Sequence, residues 1–104
     1  MTLKIDYDND RIWLNNKDEL HRVDGPAIEY ADGSKAWYKN GELHRVNGPA
    51  VEYTNGHKAW WVNGKRHRVD GPAVEYADGD KEWWINGVQM TEEEFYAKTQ
   101  SLKH

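Results

Sequence analysis

The sequence predicts an all-β protein: a single-layer, curved antiparallel meander of hairpin repeats closed by a short C-terminal capping helix. Three observations predict it. A 23-residue block recurs three times. Each copy carries two Asn-Gly or Asp-Gly turn signals between alternating segments. A helix-start signature stands just beyond the last copy.

The chain reads as one domain, 1–104, in three parts. Residues 1–20 precede the regular repeats. Two imperfect strands within residues 3–15 would start the sheet, and Trp13 opens a degenerate copy of the repeat. Residues 21–89 hold the three copies. His-Arg-Val-Asp-Gly-Pro-Ala-Ile-Glu-Tyr runs from His21 to Tyr30, and its equivalents run from His44 to Tyr53 and from His67 to Tyr76. Asp32-Gly33, Asn55-Gly56 and Asp78-Gly79 form one row of turns. Asn40-Gly41, Asn63-Gly64 and Asn86-Gly87 form the other. Both rows favour the type I′ turn, whose twist suits paired strands. Each unit should then be one short strand, such as 58–62, and one long strand, such as 65–76. The Gly71-Pro72 step should bend or bulge the long strand, because proline brings no donor. Residues 90–104 form the cap. Thr91 and Glu94 make a capping box, and a helix of about ten residues should follow. Phe95 and Leu102, with Tyr96 and Ala97 as further candidates, would turn inward and cover the last strand edge.

Composition narrows the function. Mean hydropathy is −1.06, and the aromatics are six Trp and six Tyr with a single Phe, so a thick two-layer core is not expected. There is no cysteine, which removes disulfides, thiolate metal sites and a thiol nucleophile. No apolar run approaches the ~18 residues of a membrane span. The N-terminal MTLKIDYDND has no apolar centre, so no signal peptide is expected and a cytoplasmic location follows. Residues 21–89 hold nine Lys and Arg against ten Asp and Glu, which argues against a long nucleic acid as partner.

The pattern Gly-x-Lys-x-Trp-x-x-Asn-Gly-x-x-His-x-x-x-Gly resembles MORN repeats, in the variant form common in bacterial and viral proteins. Asp78-Gly79, Trp83, Asn86-Gly87, and His67 followed by Gly71 carry the match, with equivalents in each copy, over about 70 of the 104 residues. The chain departs from that family in placing Arg22, Arg45 and Arg68 beside the His. The resemblance implies a curved single-layer sheet. It also implies protein binding or scaffolding, with membrane lipid proposed for some members, and it brings no catalytic residues.

Successive strand residues point to opposite faces. Trp37, Trp60 and Trp83 should therefore line one face, and Tyr38, Trp61 and Trp84 the other. The first stripe, extended by Trp13, is expected to be the core, stacked with Tyr30, Tyr53 and Tyr76. The second is either a binding surface or a row buried by a tightly curled sheet. The pairs His21-Arg22, His44-Arg45 and His67-Arg68, with Arg66, offer either a structural ladder or anion recognition. In the ladder, Arg would pair across strands with Asp or Glu, such as Glu29, Glu52 and Glu75, and His would bond a turn carbonyl. Lys65-Arg66-His67-Arg68 concentrates four potential cations. The candidate ligand- or partner-binding residues are thus Tyr38, Trp61, Trp84, His44, Arg45, Arg66, His67 and Arg68.

Repeated His residues ~10 Å apart cannot share one zinc, which needs ligands at ~2.0–2.1 Å. Three equivalent Glu residues offer no distinct acid and base. No phosphate loop or nucleophile elbow is present. No metal, cofactor or catalytic residue is expected, and the chain is read as a non-enzyme. The leading expectation is a binding module that engages a protein partner or forms a homo-oligomer through the aromatic sheet face. The alternative is a binder of a small planar anionic metabolite such as a signalling nucleotide, in the manner of a viral sequestering protein. A glycan binder ranks behind it.

Overall fold

The computed structural model describes residues 2–102, with side chains described to residue 100. The architecture is the expected all-β antiparallel meander with one C-terminal helix. Its strands are β1 Thr2–Ile5, β2 Arg11–Leu14, β3 Ile28–Glu29, β4 Lys35–Ala36, β5 Tyr38–Lys39, β6 Glu42–Leu43 and β7 Val51–Glu52. They continue as β8 Lys58–Ala59, β9 Trp61–Val62, β10 Lys65–Arg66, β11 Val74–Glu75, β12 Lys81–Ile85 and β13 Val88–Met90, and α1 spans Glu92–Leu102. Among the described residues, nine strands form one open sheet in the order β1-β2-β3-β4-β7-β8-β11-β12-β13. The pairs β5-β6 and β9-β10 form separate hairpins beside it. The molecule measures 44 × 30 × 18 Å, long and thin as a single layer should be.

The strands are shorter than the sequence pattern suggests, and Trp60 shows why. Its N–H donates to Ala73 O at 2.7 Å, while its carbonyl accepts from His67 N at 3.1 Å. The chain between His67 and Ala73 is therefore looped out. The expected strand 58–62 is cut at Trp60, and the expected strand 65–76 loses its middle. Trp13 and Trp37 do the same, the first with Ala27 and His21, the second with Ala50 and His44. We call the three excursions, around 22–26, 45–49 and 68–72, the first, second and third loops. No Gly-Pro-Ala follows Trp83, and there β12 runs unbroken and pairs Trp83 with Met90. The hairpins are stitched to their neighbours by backbone bonds. Gly64 N donates to Leu43 O at 2.9 Å, and Arg45 N donates to Trp61 O at 3.1 Å.

The two rows of turns differ. Asn40, Asn63 and Asn86 have φ of 49°, 50° and 51°, each followed by a left-handed Gly, as a type I′ turn requires. In the Asp-Gly row only the Gly is left-handed, and the expected type I′ turn does not form. Tyr30 N donates to Ser34 O and Gly33 N to Tyr30 O, so the loop has three residues. Asp32 Oδ1 accepts from Ser34 N at 2.8 Å and holds that wider turn.

The core combines alanines with aliphatic side chains. Ala27, Ala50 and Ala73, one per loop, are fully buried, and Ile28, Val74, Ala36 and Leu14 join them. The expected tryptophan core is corrected: Trp37, Trp60 and Trp83 are only half-buried. At the C-terminus the capping box forms as expected, with Thr91 N donating to Glu94 Oε1 at 2.9 Å and Glu94 N donating to Thr91 Oγ1 at 3.1 Å. The Thr91 N–H first, and then the Thr91 side chain, hold the Glu94 carboxyl below its ordinary range. Phe95 and Thr99 are the buried face of α1, and Thr99 Oγ1 satisfies itself on Phe95 O at 3.0 Å. Tyr96 and Ala97 face outward, contrary to expectation, and the Leu102 side chain lies outside the described residues. The helix packs chiefly on β12, and Val88 of the last strand stays exposed.

Candidate functional site: loop grooves and an aromatic depression

Each loop folds around its arginine. Arg22, Arg45 and Arg68 place their guanidinium carbons 3.9, 3.7 and 3.9 Å from the ring centroids of Trp13, Trp37 and Trp60. Each Nη1 donates to the loop's own proline carbonyl: Pro26 at 3.2 Å, Pro49 at 3.0 Å and Pro72 at 3.0 Å. Each also pairs with the glutamate seven residues on, Glu29 at 3.3 Å, Glu52 at 2.9 Å and Glu75 at 3.1 Å. The Arg-to-Glu ladder expected from the sequence is present, but it closes each loop on itself rather than joining neighbouring repeats. The glycine of every loop lies under the guanidinium. A Cβ on Gly71 would stand 2.8 Å from Arg68 Cζ.

The histidines act as acceptors, not donors to a carbonyl. His21, His44 and His67 each take the N–H of a turn asparagine, Asn40, Asn63 and Asn86, on Nδ1 at 3.0 Å. They lock each Asn-Gly turn to the hairpin before it and leave Nε2–H as the ring's donor. His57 plays a similar part for Ala77 N at 2.6 Å.

The loops stand side by side and enclose two grooves. The first, about 670 Å3, lies between the first and second loops and is lined by His21, Arg22, Trp37, Tyr38, Lys39, His44 and Arg45, among others. The next, about 500 Å3, lies between the second and third loops and includes Arg45, Trp60, His67 and Arg68. Val23, Val46 and Val69 are exposed at the loop tips.

Trp61 belongs to a different depression of about 320 Å3, with Tyr53, His57, Arg66, Tyr76, Val51 and Val74. The expected stacking of the tyrosines on the first tryptophan stripe is thereby corrected. Tyr53 and Tyr76 instead flank His57 edge-on, with centroids at 6.2 and 5.3 Å. Arg66 lies between Trp61 and Trp84, at 5.3 and 5.0 Å from their rings. Glu82 fixes this end of the row. It accepts from Trp84 Nε1 at 2.9 Å and from Tyr76 OH at 2.8 Å, with Arg66 Nη1 at 3.8 Å. The bond from Trp84, the bond from Tyr76 and the Arg66 charge together hold the Glu82 carboxyl below its ordinary range against its burial. Tyr76 is raised in turn, first by that hydrogen bond. Burial, then the neighbouring tyrosines, raises Tyr30 and Tyr38.

The eight candidate residues are thus divided. Tyr38, His44 and Arg45 line the first groove. His67 and Arg68 line the second with Arg45. Trp61 and Arg66 line the depression, and Trp84 flanks Arg66. The four cations of 65–68 do not converge: Lys65 is exposed, Arg66 sits on Trp61 and Arg68 sits on Trp60. Sequence reasoning assigned Tyr53 to the core and did not single out Glu82 or Lys39. It also missed Asp6, Asp8 and Asp10, whose carboxylates gather within 4.8 Å. Asp6 already holds the N–H groups of Asp8 and Asp10, and Asp10 holds that of Ala31. No helix among the described residues is long and apolar enough to cross a membrane.

Compared with protein-family models, curated proteins and solved structures, the chain matches none.

Proposed function

We propose that the chain is a non-enzymatic, cytoplasmic binding module of the MORN-like repeat class. Its docking surface is the aromatic depression around Trp61, and its partner is a protein, a second copy of the chain included. One observation carries this reading. Tyr53 is 52% exposed in a depression where Val51, Val74, Trp61 and Tyr76 meet His57, Lys58 and Arg66. A large aromatic beside an apolar hollow, with an arginine held between two indoles, is the composition of an interface centre. The repeating Arg–Glu pairs favour binding over catalysis, since each carboxylate is held by the arginine of its own loop.

Native mass spectrometry over a range of concentrations, on protein recovered with its bound partners, tests the reading. The wild type should carry a second copy or a defined partner, and Tyr53→Ser should lose it while melting at the same temperature. A complex that persists in the variant, or one in which Tyr53 remains open to hydroxyl-radical labelling, overturns it.

A further inference from the structure

We propose that the groove between the first two loops holds a small oxyanion, a carboxylate or phosphate group, on the outer edge of Arg45. The three loops are near copies, and one position separates them. Residues 24 and 70 are aspartate, and residue 47 is asparagine. Arg22 Nε donates to Asp24 Oδ1 at 3.2 Å, and Arg68 Nε donates to Asp70 Oδ1 at 2.8 Å. Both aspartates are largely exposed, so that edge of each guanidinium faces outward. Arg45 keeps its bonds to Pro49 O and Glu52. Among the described residues, its Nε and Nη2 have no acceptor. The middle loop alone therefore offers an open, two-donor edge.

That edge is already in position. Trp37 beneath the guanidinium and Glu52 beside it hold the plane, so an incoming oxyanion meets a pre-oriented fork. Arg45 lines both grooves. The larger one also presents Lys39, which is exposed and enters none of the ion pairs among the described residues. His44, also in the lining, adds a ring Nε2–H, because its Nδ1 accepts from Asn63 N. A volume of about 670 Å3 suits a ligand of small-metabolite size. None of these groups belongs to the Trp61 depression, so this site stands or falls separately from the protein interface.

Nitrogen-edited spectra of the arginine Nε–Hε groups test the proposal, with inorganic phosphate, a nucleoside monophosphate and benzoate as probes. At least one probe should shift Arg45 saturably and leave Arg22 and Arg68 nearly still. Asn47→Asp should supply the missing internal partner and weaken the titration about tenfold or more, as losing a charge-assisted bond does. Its melting temperature should not fall, since the flanking loops already carry aspartate. Asp70→Asn should open Arg68 to the same probes. A stronger response to phosphate identifies a free oxyanion, and a stronger response to either ring-bearing probe identifies one carried on a ring. Equal shifts at all three arginines, no shift at Arg45, or undiminished binding by Asn47→Asp overturns the proposal.

Discussion

The Arg45 guanidinium carbon lies 3.7 Å from the centroid of the Trp37 ring. The same contact recurs at Arg22 on Trp13 and at Arg68 on Trp60. Each arginine closes its loop over an indole that a one-layer sheet has no second layer to bury. Trp83 is the exception. Thr91 stands where a fourth arginine would be, and Trp83 Nε1 is buried without a hydrogen-bond partner among the described residues.

The lid makes a prediction about stability. Arg68→Lys loses the planar fork and its contact with Trp60, and should cost about 1–2 kcal/mol. Gly71→Ala puts a methyl 2.8 Å from Arg68 Cζ and should destabilise by about 1–3 kcal/mol, as overpacking does. Thermal melts check both. A Gly71→Ala protein as stable as wild type would show that the guanidinium is not held against the loop.

The histidines make a prediction about tautomers. His21, His44 and His67 should all appear as the Nε2–H form in long-range nitrogen–proton spectra at neutral pH, because Nδ1 accepts a backbone N–H in each. His44→Phe should strand the Asn63 N–H and lower stability by about 1 kcal/mol. An Nδ1–H signal from His44 would contradict the arrangement.

The tyrosines make a prediction about alkaline pH. Tyr30 and Tyr38 are raised by burial first, and Tyr76 by its bond to Glu82 first. A tyrosine raised in the folded state favours the neutral form there. Its contribution is complete below the ordinary value near ~10 and is lost as pH rises through the folded value. Phenolate absorbance should therefore show three of the six tyrosines ionising late, together with alkaline unfolding. Glu82→Gln should bring Tyr76 back toward the ordinary value, and an unmoved titration curve would remove Glu82 as the cause. Glu82 itself works in the other direction. Held low, it stabilises the fold above the ordinary glutamate range, and that contribution fades as pH falls.

The repeat, the Asn-Gly turns and the capping box were legible because each depends on residues close in sequence. Asn40-Gly41 needs only its own two backbones, and Thr91 needs only Glu94. The faces were not legible, because period-2 alternation assumes an unbroken strand. At Trp60 the chain pairs with His67 on one side and Ala73 on the other, and the excursion between them carries Tyr76 to the Trp61 side. The core misled for a related reason. Ala73 follows a Gly-Pro step and looks like filler, yet it is fully buried, while the much larger Trp60 is served by an arginine instead. The Arg-to-Glu pairs could be anticipated from charge alone, but the seven-residue closure within a loop needed the bend. The distinction of Arg45 was in plain sight as the one Asn among two Asp, and it gained meaning only when the aspartates were found bonding their arginines.

The stitching between hairpins is the same at each joint. Gly41 N reaches Leu20 O, Gly64 N reaches Leu43 O and Gly87 N reaches Arg66 O. A joint that is blind to its place in the series makes array length a free variable. Duplicating one 23-residue unit in frame lengthens the molecule without altering any existing neighbour. The two loop grooves each lie between a pair of adjacent loops, so three loops give two and a fourth would give a third. Valency in this architecture grows one step behind copy number, and the identity of residue 47 or its counterpart could set each new groove individually.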